Sequence, residues 1–287
     1  MCDNFQKIDG LNHVYCASKI LLEKLKNNEV LESTNSSKQE KQNAYDNKLY
    51  RIMTFDRLLM SIQKSQKGNQ FELSFASPKL WDDPFEKYLL DIPPKVDVNN
   101  IQSRVFACSF KNVYSQSEDA AWRTYQYKVG MPLVMLHFNA YELLKKLDEQ
   151  ASSKGFYIYV TDIKYSLSKE QMRQQKANMK NPVDINAYLS LLSYKRKAFE
   201  YEKELRMFIV FNDDEKMNVV HPNVDRENIF IPLTTNLIPR IIMSPLYPNN
   251  YGAHHKEIEQ ILNEGVKKYI EKILGKDVAQ QSRLYSI

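Results

Sequence analysis

The chain has 287 residues, of which 43% are hydrophobic and 26% charged, and its formal net charge is +5. This composition supports a sizeable core in one large domain and excludes wholesale disorder. Glycine occurs only seven times, and no GxGxxG or GxxxxGK[ST] loop is present, so Rossmann-type and P-loop nucleotide binding are disfavoured. The modest positive charge permits a nucleic-acid or nucleotide partner without requiring one.

Neither a membrane segment nor a secretory signal is predicted. No run of about 18 consecutive apolar residues occurs, and the first residues, MCDNFQKIDGLN, lack a basic start followed by an apolar stretch. The three cysteines are far apart in the sequence and form no CxxC pair, so neither a disulfide framework nor a zinc site is expected. These features predict a cytoplasmic protein with no membrane partner.

The predicted elements divide the chain near residue 47. Residues 1–47 are polar with one helical apolar pattern, and they include the Ser-, Asn- and Gln-rich stretch 32–43, so we predict a helical appendage and linker. Strands and helices follow over 48–287 without the regular spacing of βαβ units, which predicts a single α+β domain. We expect a curved, mostly antiparallel central sheet flanked by helices.

The first half of the predicted domain is rich in strands. KLYRIMTF (48–55) is predicted as a short strand, and residues 55–64 as an amphipathic helix. FELSFASP (71–78) alternates apolar and polar residues, the pattern of a strand with one buried face. RVFACSF (104–110) and MPLVMLHF (131–138) are predicted as further strands.

The second half mixes helices and strands and ends in a long amphipathic helix. The predicted elements are a helix at 141–147, a β-rich stretch at 155–166, a helical region at 169–200, strands at 205–211, 228–233 and 237–245, and a helix at 255–274. The apolar stripe of the last helix consists of Ile258, Ile261, Leu262, Val266, Ile270 and Ile273.

The segment WDDPFE (81–86) carries three acidic residues directly after a predicted strand. Asp82, Asp83 and Glu86 would there hold a cation or position a hydroxyl group. The alternative is a helix start, in which an Asp caps the helix and Pro84 occupies its first turn.

The segment FEYEKELR (199–206) carries two further carboxylates at a predicted helix-to-strand transition. In a strand, Glu202 and Glu204 would share one face, where paired carboxylates raise one another's pKa or polarise a sugar hydroxyl. The alternative is a solvated face on which they pair with Lys203 or Arg206.

An aromatic pair and an arginine are the remaining candidates. Trp122 and Tyr125 lie one turn apart on a predicted helical segment, where they would either stack on a base or nicotinamide or pack in the core. Arg51 on the first strand of the domain would either clamp a phosphate or carboxylate with its rigid guanidinium or lie exposed to solvent.

Taken together, these segments resemble, in type and order, those of a bacterial protein family with no assigned function. The resemblance covers about residues 48–287. The segments that carry it are Tyr50-Arg51, FASPKLWDDPFE (75–86), Ala107-Cys108-Ser109, Trp122 with Tyr125 and Gly130, KRKAFEYEKELR (195–206) and IIMSP (241–245). Phe199 and Ser244 depart from the family pattern, which has Trp and Gly at these positions.

The polar positions also resemble those of ADP-ribosyltransferases. Those enzymes carry a basic residue on an early strand, a serine on the next and an E-x-E glutamate at the start of a late strand. The resemblance implies that Arg51 holds a phosphate or ribose of NAD and that Ser74 or Ser77 supports the nicotinamide ribose pocket.

The same resemblance assigns roles to the carboxylates and the aromatic pair. Glu204 would hydrogen-bond a ribose hydroxyl and stabilise the oxocarbenium-like transition state, while Glu202 would orient the acceptor. Trp122 or Tyr125 would stack on the nicotinamide.

Three functions are consistent with these residues. We expect foremost an NAD-consuming transferase or glycohydrolase, such as a toxin or phage-defence effector that modifies a protein or nucleic acid. The second is a nuclease or phosphodiesterase that binds Mg²⁺ or Mn²⁺ through carboxylates of the segments 81–86 and 199–206. The third is a non-catalytic binding module, in which the same residues are structural.

Overall fold

The computed structural model describes residues 5–25, 48–63, 69–81, 83, 86, 99–111, 122, 132–165, 170–171, 174, 177, 184–212, 227–244, 253–275 and 277–282. Within these ranges the chain forms helices and eleven strands, whose pairing is mixed but largely antiparallel. This confirms the predicted α+β class. None of the helices in these ranges is both long and apolar enough to cross a membrane.

The elements are named here in chain order. The strands are β1 (Gln6–Lys7), β2 (Val14–Cys16), β3 (Lys48–Thr54), β4 (Gln70–Ala76), β5 (Val105–Lys111), β6 (Leu133–Asn139), β7 (Phe156–Asp162), β8 (Glu204–Phe211), β9 (Asn228–Thr234), β10 (Arg240–Met243) and β11 (Ala279–Gln281). The α-helices include α1 (Phe55–Gln63), α2 (Asn99–Gln102), α3 (Ala140–Lys154), α4 (Ile185–Leu191) and α5 (Ala253–Leu274), and residues 19–25 are helical as well.

The chain forms two compact units, each assembled from three separate stretches of sequence. Unit 1 comprises Met1–Asn47, Ser74–Phe110 and Leu143–Ile231, and unit 2 comprises Lys48–Leu73, Lys111–Glu142 and Pro232–Ile287. The predicted organisation was an appendage over residues 1–47 and a single domain over 48–287. The border at 47/48 coincides with the predicted boundary, whereas the other four borders fall within strands or a helix, where the composition does not change.

In unit 1 the strands lie in the order β1, β2, β7, β8, β5. Strand β8 is central, and all eight of its residues are buried. Its residues Leu205 to Phe211 pair with β7 in antiparallel register. Strand β2 pairs with β7 in parallel, and Val14 and Cys16 are fully buried. Part of the segment predicted as an appendage is therefore a strand of this unit.

The core of unit 1 is aromatic and fixes the position of α4. Tyr188 and Leu189 of α4 belong to the same buried cluster as Tyr159 of β7 and Phe208 of β8. Burial of each large apolar side chain contributes about 1.5–3 kcal/mol. This packing holds the chain that follows α4, residues 192–203, at the N-terminal end of β8.

In unit 2, β3 pairs with β6 and β6 pairs with β10, both antiparallel, and β10 pairs with β11 in parallel. Helix α5 confirms the predicted helix at 255–274, with Val266 and Ile270 buried. Two other members of the predicted apolar stripe, Ile261 and Leu262, are exposed by 68% and 42%. The buried stripe is therefore narrower than the apolar pattern of the sequence indicates.

Candidate functional site

Strand β8 begins immediately after a sharp change of backbone direction. Residues Lys197–Glu202 form a 3-10 helix, and Lys203 adopts the left-handed conformation (φ 44°, ψ 49°) before Glu204 opens the strand. A lysine in this conformation is uncommon because its Cβ crowds the backbone. Glu202 therefore ends the 3-10 helix and Glu204 begins the strand, which confirms the predicted helix-to-strand transition. The two side chains do not share the face of one strand.

Glu204 is buried and accepts hydrogen bonds from four donors. Its Oε1 accepts from Ser109 Oγ at 2.5 Å, Arg206 Nε at 2.9 Å and Arg206 Nη2 at 2.8 Å. Its Oε2 accepts from Lys195 Nζ at 3.0 Å. Its backbone N–H donates to Tyr165 Oη at 2.7 Å. A carboxylate can accept about four hydrogen bonds, so Oε1 is saturated while Oε2 keeps capacity for one more donor.

Arg206 is the buried cation that organises this network. Its Nη2 also donates to Glu86 Oε1 at 2.8 Å, and its Nη1 donates to the carbonyl of Leu192 at 2.5 Å. The guanidinium lies 4.2 Å from the ring centroid of Trp81, a cation–π contact. Trp81 and Glu86 come from a part of the chain far from β8, so the arginine ties that segment to the strand.

Lys195 joins the two carboxylates of the E-x-E segment. Its Nζ donates to Glu202 Oε2 at 2.6 Å as well as to Glu204 Oε2. The second oxygen of Glu202, Oε1, makes no hydrogen bond with the described residues, and 11% of the Glu202 side chain is exposed. Glu202 is therefore the carboxylate of this pair that solvent reaches.

The environment moves the pKa values of the two carboxylates in opposite directions. Burial alone would raise the pKa of Glu204, but the charges of Arg206 and Lys195 outweigh it and hold that pKa at about 2. For Glu202, burial raises the pKa above its ordinary value, and Lys195 offsets this only in part. Glu204 is thus fixed as an anion, whereas Glu202 is held closer to protonation.

The network of Glu86, Lys195, Glu202, Glu204 and Arg206, called the Glu202–Glu204 cluster below, carries an excess of negative charge. Among the described residues, three carboxylates (Glu86, Glu202 and Glu204) meet two cations (Lys195 and Arg206), which leaves one negative charge uncompensated when all are ionised. The neighbouring pair, Arg196 Nε with Asp83 Oδ2 at 3.2 Å, adds no net charge. The chain as a whole is positive by five charges, so this local excess is opposite in sign to the rest of the protein.

The two acidic segments identified in the sequence meet at this cluster in unit 1. From WDDPFE, Trp81, Asp83 and Glu86 contact Arg206, Arg196 and Arg206 respectively. Asp82 and Pro84 lie outside the described residues. The interpretation of 199–206 as a solvated face is wrong, since Glu202 and Glu204 are buried, although the predicted pairing of Glu204 with Arg206 is confirmed.

Neither of the two serines predicted for the ribose pocket is the serine that contacts Glu204. Ser77 is buried and caps the short 3-10 helix Pro78–Leu80, accepting from Lys79 N at 3.4 Å. Ser74 lies on β4 and is half-buried. The serine that donates to Glu204 is Ser109 of β5, which is exposed.

Arg51 and Trp122, two other predicted ligand residues, belong to unit 2, whereas the residues around Glu204 belong to unit 1. Arg51 lies on β3, half-buried, opposite Leu136 of β6. Trp122 is only 1% exposed and packs with the side chains of a buried apolar cluster. This burial matches the core-packing alternative and leaves no ring face for nicotinamide. Tyr125 lies outside the described residues.

Sequence reasoning missed Ser109, Tyr165 and Lys195. Ser109 and Lys195 do fall within the segments that carry the family resemblance, Ala107-Cys108-Ser109 and 195–206. Tyr165 has no such signal, because its role depends on a hydroxyl that meets a backbone N–H 39 residues away. Its burial raises the pKa of the phenol, so it acts at neutral pH as a neutral hydrogen-bonding group.

Four of the carboxylates considered as metal ligands pair with cations, and the fifth, Asp82, lies outside the described residues. Asp83 pairs with Arg196, Glu86 with Arg206, and Glu202 and Glu204 with Lys195. No group of three or more His, Cys, Asp or Glu side chains with the geometry to hold a metal occurs among the described residues.

Comparison with known proteins found no matching family model, no matching curated protein and no matching solved structure.

Proposed function

We propose that the protein is an NAD-consuming enzyme of the ADP-ribosyltransferase type, acting at the Glu202–Glu204 cluster. The observation that carries the proposal is the pair of unequal carboxylates on Lys195: Glu204, held ionised with a pKa of about 2, and Glu202, partly exposed with a raised pKa. Two carboxylates whose environments separate their pKa values are suited to different roles in one reaction.

The excess negative charge supports a substrate that is positive at the reacting atoms. The nicotinamide ring of NAD⁺ is cationic, and the bond between its nitrogen and ribose C1 breaks to give an oxocarbenium-like transition state. An anionic group fixed in a buried site stabilises such developing charge more than water does. Glu204, with the one excess charge of its cluster, supplies that field.

The proton inventory of the reaction fits the two carboxylates. The electron pair of the breaking C–N bond leaves with nicotinamide, and an acceptor hydroxyl, amine or water forms the new bond to C1. The proton of the acceptor passes to Glu202. The pKa of Glu202 is raised towards neutral pH, which makes this carboxylate the better base of the two. The free capacity of Glu204 Oε2 and the exposed hydroxyl of Ser109 are available to a ribose hydroxyl.

This proposal differs from the residue roles implied by the resemblance alone. Ser109 takes the part of the serine beside the glutamate, in place of Ser74 or Ser77. The acceptor, whether protein or nucleic acid, remains part of the proposal, as do the ADP-ribosyltransferase-like fold and the membership of the bacterial family. The non-catalytic alternative keeps the same network but gives it only the task of holding residues 81–86 against β8.

Titration calorimetry with NAD⁺ and NADH distinguishes these functions. The two ligands have the same phosphates and riboses, but NADH lacks the positive charge on its ring. We expect NAD⁺ to bind more tightly than NADH, and we expect Glu202→Gln to reduce that preference because it removes the excess charge. Ser109→Ala should weaken the binding of both ligands, because it removes the hydroxyl that is available to a ribose. Ser109 is exposed, so this substitution leaves the fold intact.

Glu200→Gln is the matched control, because Glu200 is an exposed carboxylate two residues from Glu202. It changes the net charge of the chain by the same amount without touching Lys195. Folded protein that binds neither nucleotide, or a preference for NAD⁺ that Glu200→Gln and Glu202→Gln reduce equally, would contradict the proposal and favour the binding module.

A further inference from the structure

A group of positively charged and polar side chains lies at one end of a sheet face in unit 2. Strands β3, β6 and β10 are adjacent, and the register places Tyr50 opposite His137 and His137 opposite Arg240. Lys48 lies opposite Asn139, one pair further along the same face. Residues that pair across antiparallel strands share a face, and so do residues two apart along one strand.

The face has an apolar end and a polar end. Ile52, Met135 and Ile242 continue the same rows and are buried with Trp122. At the other end Lys48, His137 and Asn139 are half-buried and Arg240 is exposed. Solvent therefore reaches the polar end, while the apolar end is part of the core.

The polar end is positively charged. Its positions carry Lys48 and Arg240 on the two outer strands, with His137 between them, and no acidic residue occupies these register positions. Adjacent strands are about 4.8 Å apart, so both basic side chains are long enough to converge above His137. Lys111 of β5 pairs with Tyr50 of β3 and so continues the row of Tyr50, His137 and Arg240.

The charge at this place acts on His137. Its pKa is lowered to about 4, first by burial and then by the positive charges of Lys48 and Arg240. The imidazole is therefore neutral at pH 7 and presents one N–H donor. Its ring is stacked on Tyr50, with centroids 5.1 Å apart and planes 17° from parallel, which fixes the direction of that donor.

We propose that Lys48, His137 and Arg240 form a binding site for a phosphate group. An oxyanion at this place would accept hydrogen bonds from a guanidinium, an ammonium and a fixed imidazole. The inference does not rest on the proposed NAD chemistry, since all of these residues belong to unit 2. It also differs from the predicted phosphate contact of Arg51, which alternates to the opposite face of β3.

The test uses the histidine as a local reporter. The imidazole resonances of the full-length protein are followed by NMR at pH 7 and constant ionic strength while inorganic phosphate is added. His137 is one of five histidines, and its signal is assigned from its loss in His137→Gln. We expect a saturable shift of the His137 signal and a rise of its pKa, because a bound anion offsets the two cations.

Substitutions of the two cations establish which residues bind. Lys48→Gln and Arg240→Gln are each expected to weaken phosphate binding by about tenfold or more, the effect of losing one charge-assisted hydrogen bond. Lys268→Gln is the control, since Lys268 is an exposed lysine of α5 in the same unit and its loss changes the net charge equally. It should leave the affinity unchanged.

A parallel titration with adenosine 5′-monophosphate identifies the source of the phosphate. Tighter binding than inorganic phosphate would assign the site to a nucleotide, and equal binding would assign it to the phosphate group alone. The proposal is overturned if the His137 signal does not shift in a saturable way, or if Lys268→Gln weakens binding as much as Lys48→Gln and Arg240→Gln do.

Discussion

Glu202 and Glu204 are predicted to respond very differently to the same substitution. Both carboxylates bind Lys195 Nζ, and glutamine is nearly isosteric with each of them. The pKa of Glu204 is about 2 against an ordinary value of 4.5. At about 1.4 kcal/mol per pH unit, this difference corresponds to roughly 3 kcal/mol of folding free energy. We expect Glu204→Gln to lower the free energy of unfolding by about that amount at pH 7.

Glu202→Gln should lower the free energy of unfolding far less than Glu204→Gln does. Burial raises the pKa of Glu202, which means that the folded protein holds its anion less favourably than the unfolded chain does. A neutral glutamine then replaces an ion whose desolvation is only partly offset by Lys195. We expect a change in the free energy of unfolding within about 1 kcal/mol of zero, with the exposed control Glu200→Gln within about 0.5 kcal/mol.

The pH dependence separates the two effects further. A lowered carboxylate pKa stabilises the fold above the unfolded-state value, and this contribution is lost as the pH falls from about 4.5 to about 2. The stability difference between the wild type and Glu204→Gln should therefore shrink over this interval. Because the pKa of Glu202 is raised, its contribution has the opposite sign and is lost as the pH rises through the folded-state value.

Urea denaturation followed by circular dichroism at several pH values measures all three variants. Equal losses of stability for Glu202→Gln and Glu204→Gln would refute the assignment of distinct electrostatic roles. So would a difference between the wild type and Glu204→Gln that stays constant between pH 7 and pH 3.

Three further substitutions test the structural roles of single side chains, each by urea denaturation. Tyr165→Phe removes the acceptor of the Glu204 N–H and should cost about 1–3 kcal/mol; a neutral result would mean that the hydroxyl is not needed. Ser77→Ala should cost about 1 kcal/mol through loss of a helix cap, and a loss of nucleotide binding without a loss of stability would restore Ser77 to the ribose pocket. Trp122→Ala should cost about 3–5 kcal/mol as a core truncation, and a small cost would contradict its burial.

Local patterns predicted most strands after residue 47 and the long helix, but not β1 and β2. The alternation of Phe71, Leu73 and Phe75 appears as the buried face of β4, and the apolar run after Glu204 appears as the fully buried β8. These features depend on neighbouring residues, whose periodicity is visible in the sequence. The α+β class follows from the same local patterns.

The geometry of the candidate site depended on contacts that sequence patterns do not contain. Arg206 meets Glu86 across 120 residues, and Ser109 meets Glu204 across 95. The left-handed Lys203 also places the two glutamates on different elements, and a lysine gives no sign of such a conformation. The sequence thus identified the acidic segments and the pairing of Glu204 with Arg206, but not the contacts of Glu204 with Lys195 and Ser109 or of Arg206 with Glu86.

The division into units was hidden for a related reason. Unit 1 collects residues from three separate stretches, so Glu204 and Glu86 share it while Arg51 does not. The three positions that resembled an ADP-ribosyltransferase were chosen by their order along the chain. Order alone does not determine which of them belong to the same unit.

The most direct test of the proposed function is the release of nicotinamide from NAD⁺ by the purified protein, measured for the wild type, Glu202→Gln, Ser109→Ala and the control Glu200→Gln. We predict release by the wild type and by Glu200→Gln, with a strong reduction in Glu202→Gln and Ser109→Ala although both remain folded. No release by folded wild-type protein, with water and with protein and nucleic-acid acceptors supplied, would contradict NAD chemistry at this cluster, and so would equal release by all four proteins.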